Sequence, residues 1–170
     1  SKLTLLDSDL NEIEITNLSI NSWVRDFDIQ KDGKILIVGT FTTVNGLSYN
    51  RICRLNSDFT IDSSFNIGTG FSRDALKIKV QKDDKILISC RGDNNYNNES
   101  VGELIRINQD GSLDNTFLND KTETNSSISD FDINENGEII VVGPFSTFNF
   151  KIVNGIVLLN SDGSISDEFK

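Results

Sequence analysis

Residues 24–39, Val-Arg-Asp-Phe-Asp-Ile-Gln-Lys-Asp-Gly-Lys-Ile-Leu-Ile-Val-Gly, decide the fold, because they return twice further along the chain. Residues 76–89 read Leu-Lys-Ile-Lys-Val-Gln-Lys-Asp-Asp-Lys-Ile-Leu-Ile-Ser, and residues 128–143 read Ile-Ser-Asp-Phe-Asp-Ile-Asn-Glu-Asn-Gly-Glu-Ile-Ile-Val-Val-Gly. A second shared stretch follows each copy, over 51–65, 104–117 and 156–169. Phe65, Phe117 and Phe169 stand 52 residues apart, as do Asp58, Asp110 and Asp162. At the front, Leu5-Leu-Asp-Ser-Asp-Leu10 matches Arg54-Leu-Asn-Ser-Asp-Phe59, so the chain begins partway through a unit. Self-similarity at such a period is the mark of a repeat architecture. The units fall at 1–22 (a partial leading repeat), 23–73, 74–126 and 127–170, within one structural domain.

Each unit divides into short strands. In the first, Phe27 and Ile29 alternate with Asp26 and Asp28, Ile78 and Val80 with Lys77 and Lys79, and Phe131 and Ile133 with Asp130 and Asp132. That alternation predicts an apolar buried face and a polar face. Asp32-Gly33 and Asn136-Gly137 then supply the residue pairs that tolerate positive φ in a tight hairpin. The second unit has Asp84 at the Gly position, which costs turn stability. The next strand (35–38, 86–88, 139–142) is apolar on successive residues, so both of its faces must be covered. A third strand (52–55, 104–107, 156–159) leads into a second turn, and a weak fourth ends at the recurring Phe.

Four short antiparallel strands per unit, the inner ones covered on both sides, are what a propeller blade between two other blades requires. The expected fold is therefore all-β and β-propeller-like, with about three four-stranded antiparallel blades plus an N-terminal hairpin. A closed ring takes about 4–8 blades, so this one is either open or closed by oligomerisation.

Composition narrows the chemistry. Sixteen Lys and Arg against twenty-six Asp and Glu give a net charge of −10, which repels a phosphate backbone and counts against nucleic-acid binding. There is no His, which removes Ser-His-Asp and Cys-His pairs, His acid/base work and His metal ligands. Cys53 and Cys90 are too few for a zinc site, and two free buried thiols are expected rather than a disulfide. No apolar stretch approaches the ~20 residues that span a bilayer as a helix, so no membrane insertion is expected.

The pattern Asp32-Gly-Lys34, Gly39-Thr-Phe41, Asn45-Gly46, Arg51 and Arg54-Leu-Asn56 resembles the delta-60 repeat, a propeller-type repeat of bacterial surface and phage-associated proteins. The resemblance covers about residues 24 to 169. Departures are Phe59 at a turn Gly, the Asp83-Asp84 turn, and a second unit in which Arg91 to Ser100 replaces the Gly-x-Phe segment. The resemblance implies a propeller fold and brings no catalytic residues.

Several constellations carry two readings. The Asn-x-Asp-Gly turns have calcium-like oxygens but lack the ligand order of an EF-hand loop, and turn chemistry is preferred. The alternating Asp, Lys and Asp pairs of the first strands are either a solvated face or a charge-lined channel that fixes blade register, and the solvated face is preferred. The recurring Arg54 and Arg106 are expected to pack their stems and bond neighbouring carbonyls. Trp23 is expected to cover the first blade. Arg91-Gly92-Asp93 is an RGD tripeptide in the least repeat-like loop, whose Arg91, Asp93, Asn95, Tyr96 and Asn98 are the first candidate ligand contacts. The loop from Asn119 to Ser127 comes second.

The expected function is a non-enzymatic structural or attachment module. It would belong to a phage particle (tail, fibre or capsid-associated) or a surface assembly, with other protein subunits, self or heterologous, covering its open blade edges. The alternative is a fragment of a secreted or surface-anchored bacterial propeller protein that binds carbohydrate or protein, so a glycan ligand is admitted. Both place the chain on a virion or outside the cell, with no cofactor and no metal. Hydrolysis by a carboxylate pair needs no His, but no Asp or Glu stands out from the repeat as a site would.

Overall fold

The computed structural model describes residues 4–92, 94–118 and 123–168, and among them every regular element is a β-strand. A leading hairpin joins β1 (Leu5–Leu6) to β2 (Glu12–Ile13). The first blade is an antiparallel sheet of β3 (Val24–Ile29), β4 (Ile35–Gly39) and β7 (Ile52–Leu55), in that order. Between β4 and β7 runs a separate hairpin of β5 (Thr43–Val44) and β6 (Leu47–Ser48). The second blade repeats the plan with β8 (Ala75–Val80), β9 (Ile86–Cys90), hairpin β10 (Asn94–Tyr96) and β11 (Glu99–Val101), and β12 (Leu104–Ile107). The third does so with β13 (Asp130–Ile133), β14 (Ile139–Val142), β15 (Thr147–Phe148) and β16 (Lys151–Ile152), and β17 (Ile156–Leu159).

The expected four strands per blade are thus three strands and a single bridge: Leu55 to Ile61, Ile107 to Leu113, Leu159 to Ile165. The fourth strand stops because Asp62 and Asp114 turn the backbone, their Oδ1 atoms accepting from the N–H of Ser64 and Thr116 at 3.0 Å. The hairpins at the Asp-Gly and Asn-Gly pairs form as expected, with Gly33 and Gly137 at φ of 82° and 85°. Asp84 adopts the same left-handed turn at 64° despite its Cβ.

Blades pack face to face. Leu36, Val38 and Ile52 on the trailing face of the first meet Ile78, Ile86, Ile88, Ile105 and Ile107 on the leading face of the second. Leu87 and Leu104 meet Phe131, Ile139, Val141, Val157 and Leu159 in the same way. This explains where burial departs from expectation. Phe27 and Ile29 are 57% and 56% exposed, whereas Ile78 and Phe131, the counterparts of Phe27, are 1% and 3% exposed and Val80 and Ile133, the counterparts of Ile29, are half-buried. Phe27 and Ile29 lie on the leading face of the first blade, which no complete blade among the described residues precedes. Only one face of β14 is covered: Ile139 and Val141 are fully buried, but Ile140 on the other face is 40% exposed. Trp23 does not cover the first blade. Its side chain is exposed, and its contribution is a carbonyl that accepts from the N–H of Thr40 at 2.9 Å.

Candidate functional site

The candidate ligand loop, Arg91 to Ser100, is largely the second unit's small hairpin. Asn97 and Asn98 occupy its tip at φ of 49° and 65°, as Asn45 and Gly46 do in the first unit. Asn tolerates this conformation better than other residues with a Cβ, which is how the hairpin survives without Gly. Arg91, Asn95 and Asn98 are exposed, and Arg91 sits 3.7 Å from Asp74. Asp93 lies outside the described residues. Tyr96 does not face solvent: it is 1% exposed, tilted against Phe71 with centroids 4.8 Å apart, and donates its hydroxyl to the carbonyl of Gly111 at 2.5 Å. Burial pushes its phenol well above the ordinary range. It is a core residue that ties the hairpin to the following turn. Of the second candidate loop, residues 119–122 lie outside the described residues, and the remainder meets the first in a polar cleft of about 550 Å³ that includes Gly92 and Ser100 of the first loop, Glu103 beyond it, and Thr124, Asn125 and Ser126 of the second.

The most elaborate polar cluster lies elsewhere. Arg54, 4% exposed, donates Nε to Asp62 Oδ2 at 2.8 Å and lays its guanidinium carbon 4.5 Å from the centroid of the Phe65 ring. Its Nη1 crosses into the next blade and donates to the carbonyl of Gln109 at 2.6 Å. Lys34 Nζ closes on the same Asp62 oxygen at 3.0 Å. The second unit repeats every part: Arg106 bonds Asp114 (2.7 Å) and the carbonyl of Ser161 (2.6 Å), stacks on Phe117 (4.6 Å), and Lys85 reaches Asp114 at 2.8 Å. Burial alone would raise the carboxyls of Asp62 and Asp114. The hydrogen bonds from Ser64, Lys34 and Arg54 to one, and from Lys85, Thr116 and Arg106 to the other, outweigh it and hold both well below the usual range. Arg54 and Arg106 therefore bond neighbouring carbonyls as the sequence suggested. The roles of Lys34, Asp62, Lys85 and Asp114 are additional. In the third unit the Arg, Lys and Asp positions hold Leu158, Glu138 and Ser166 together, and this joint loss is the signal in the sequence that links them.

Lysines at the hairpin turns make a second set of forward contacts. Lys31 donates to the carbonyl of Lys82 at 2.5 Å, and Lys82 to that of Glu135 at 2.6 Å.

The charged faces of the first strands are more than a solvated surface. Asp26 Oδ2 accepts from the N–H of Ile78 at 3.0 Å, and Asp28 Oδ2 from that of Val80 at 2.7 Å, so carboxylates of one blade cap the open strand edge of the next. Lys77 stands between Asp26 (4.0 Å) and Asp130 (3.4 Å), and Lys79 pairs with Asp132 at 3.3 Å. These groups join neighbouring blades.

Turn chemistry accounts for the Asn-x-Asp segments: Asp58, Asp110 and Asp162 each accept, through Oδ1, the N–H and hydroxyl of Thr60, Ser112 and Ser164. Among the described residues no group of three or more Cys, Asp or Glu could hold a metal ion, and no helix is long and apolar enough to cross a membrane. Cys53 and Cys90 are free and buried, and burial pushes both thiols up to about 12.

Residues 30–65, 81–117 and 135–166, more than half of the chain, match the family model described as a domain of unknown function (DUF5122), β-propeller. Comparison with curated proteins gave no match. A solved structure, a protein of unknown function from Bacteroides caccae, aligns over 95% of this chain and 72% of its own, with 10% sequence identity and a TM-score of 0.35.

Proposed function

Because the chain belongs to the DUF5122 β-propeller domain family, we propose that it is a non-catalytic assembly module that works by holding other protein surfaces against its open blade faces. The observation that carries this reading is the contrast in burial along the stack. Phe27 and Ile29 are more than half exposed where the counterparts of Phe27 are buried and those of Ile29 half-buried, and Ile140 and Ile156 on the opposite end are 40% and 38% exposed. Apolar sheet faces of this kind mark interaction surfaces. A catalytic role for the first-strand carboxylates is disfavoured, because Asp26 and Asp28 are engaged with backbone N–H groups and Asp130 and Asp132 with lysines.

With the likeness of its motifs to delta-60 repeats, this reading places the module in a phage particle or a comparable surface assembly outside the cell. The test is solution mass by light scattering across a dilution series, combined with binding of a hydrophobic dye. The expected result is dye binding that falls in the Phe27→Asp variant, or a stable oligomer that the same variant disrupts. A monomer that binds no dye would overturn the proposal.

A second reading, binding of a glycan or peptide, rests on the polar cleft where the two irregular loops meet. Chemical-shift changes confined to Ser100, Thr124 and Asn125 on titration with oligosaccharides would support it, and their absence across a broad panel would remove it.

A further inference from the structure

The junction between the second and third blades is a complete example of how one blade receives another. Blade three receives through five groups: Asp130 takes Lys77, Asp132 takes Lys79, the Glu135 carbonyl takes Lys82, the Ser161 carbonyl takes Arg106, and the Asp162 carbonyl takes the N–H of Leu118 at 3.0 Å. The first blade carries the same five groups at the equivalent positions, Asp26, Asp28 and the carbonyls of Lys31, Ser57 and Asp58, with Asp26 and Asp28 also accepting from the N–H groups of Ile78 and Val80 of the second blade through Oδ2. The last is already engaged from the leading side, by Asn17 Nδ2 at 3.1 Å. Asn17 stands in the partial leading repeat where Asn66 stands in the first full one, and Asn66 donates its main-chain N–H to the equivalent carbonyl, that of Asp110, at 2.8 Å. The leading segment thus fills the rim of a seat whose centre, around Phe27 and Ile29, is exposed.

A second copy of this chain does not fit that seat. Its third blade would present Asp130 and Asp132 to Asp26 and Asp28, Glu135 where Lys31 and Lys82 reach forward, and Leu158 where Arg54 and Arg106 cross. Within the chain each junction sets a cation against the Asp row, whereas a head-to-tail pair of copies would set like charge against like charge and lose every forward-donating cation. Juxtaposed like charges suppress wrong partners more than they tune affinity. Resting on the assembly reading above, we infer that the leading face of the first blade is the seat for a different β-blade. Its partner carries Lys or Arg at two alternate positions of its inner strand and an Arg at the crossing position, as the second blade does, and is not another copy of this chain.

The test rewrites the third blade so that it meets that description: Asp130→Lys, Asp132→Lys, Glu135→Lys and Leu158→Arg in the full chain, with urea unfolding to establish that the variant is folded. The two-site Asp130→Lys/Asp132→Lys variant serves if the four-site one is not. Sedimentation velocity at low salt reads the outcome. The rewritten chain should associate head to tail at least about tenfold more tightly than the wild type, weaken in about 0.5 M salt, and lose the association when Phe27→Asp is added. A folded rewritten chain that associates no more than wild type overturns the inference, as does a wild-type chain that self-associates equally well through Phe27. In the second case the face is still a docking surface, so the assembly reading survives while the charge rule fails. If Phe27→Asp changes neither association nor dye binding, both fall.

Discussion

Arg54 reaches out of its own blade and donates a hydrogen bond to the main-chain carbonyl of Gln109, 2.6 Å away and 55 residues along the chain. The same side chain is held from behind by Asp62 and from above by the Phe65 ring. One guanidinium therefore fixes the distance and the rotation between two blades, a task for which a planar, always-charged fork suits better than an ammonium.

Replacing Arg54 by Met should cost about 2–3 kcal/mol, since a charge-assisted buried network is lost while Asp62 keeps only Lys34 as a cationic partner. Arg106→Met should cost as much, for the same contacts recur. Urea unfolding measures both, and a loss below about 0.5 kcal/mol, the level of an exposed ion pair, would show that the latch contributes little.

Ser89 is fully buried and its hydroxyl has no hydrogen-bond partner among the described residues. The equivalent residues are Val38 and Val142. Ser89→Val should stabilise the chain by about 1 kcal/mol, by removing an unsatisfied buried polar group and adding apolar contact. A fall in the midpoint of thermal unfolding would contradict this.

The depressed carboxyls of Asp62 and Asp114 make the latches sensitive to acid. Both folded values lie below the unfolded one of about 3.9, so their contribution is fully present above that pH and is lost progressively as pH falls below it. The stability gap between wild type and an Asp62→Asn/Asp114→Asn variant should be constant from neutrality down to about pH 5 and close below about pH 4. A gap unchanged at about pH 3 would mean that these carboxyls gain nothing from the fold.

Cys53 and Cys90 should stay silent toward a thiol reagent at mildly alkaline pH until the chain unfolds, because burial keeps both protonated. Two thiols released on adding denaturant, with none before, is the expected count. Rapid labelling of the native chain would show that the blades open locally.

The repeat, its period and its Asp-Gly turns were legible in the sequence because turns and apolar runs are local signals. The hairpins at Thr43–Val44 and Leu47–Ser48 and their counterparts were not, since two-residue strands carry no periodicity; only Asn45-Gly46 announced one. The exposure of Phe27 could not be read from alternation, which says that two faces differ and not which of them has a neighbour. Tyr96 was misplaced for a related reason. The repeat motif breaks around it, yet the ring occupies the core position held by Val44 and Phe148. The latch was half legible: Arg54 and Arg106 stood out as recurring, whereas Asp62 and Lys34 become partners only when a strand and two turns bring positions 28 residues apart to 3.0 Å.

Four cations that join blades by donating to a main-chain carbonyl, Lys31, Arg54, Lys82 and Arg106, all point the same way along the chain. The molecule is therefore mechanically polar. Peeling away the third blade would break the crossing bonds of both Lys82 and Arg106, whereas peeling away the leading hairpin with the segment that follows it releases exposed contacts such as those of Asn17 and Ser19. Pulled from its two ends, the chain should yield first at the leading hairpin, and its second and third blades should let go together.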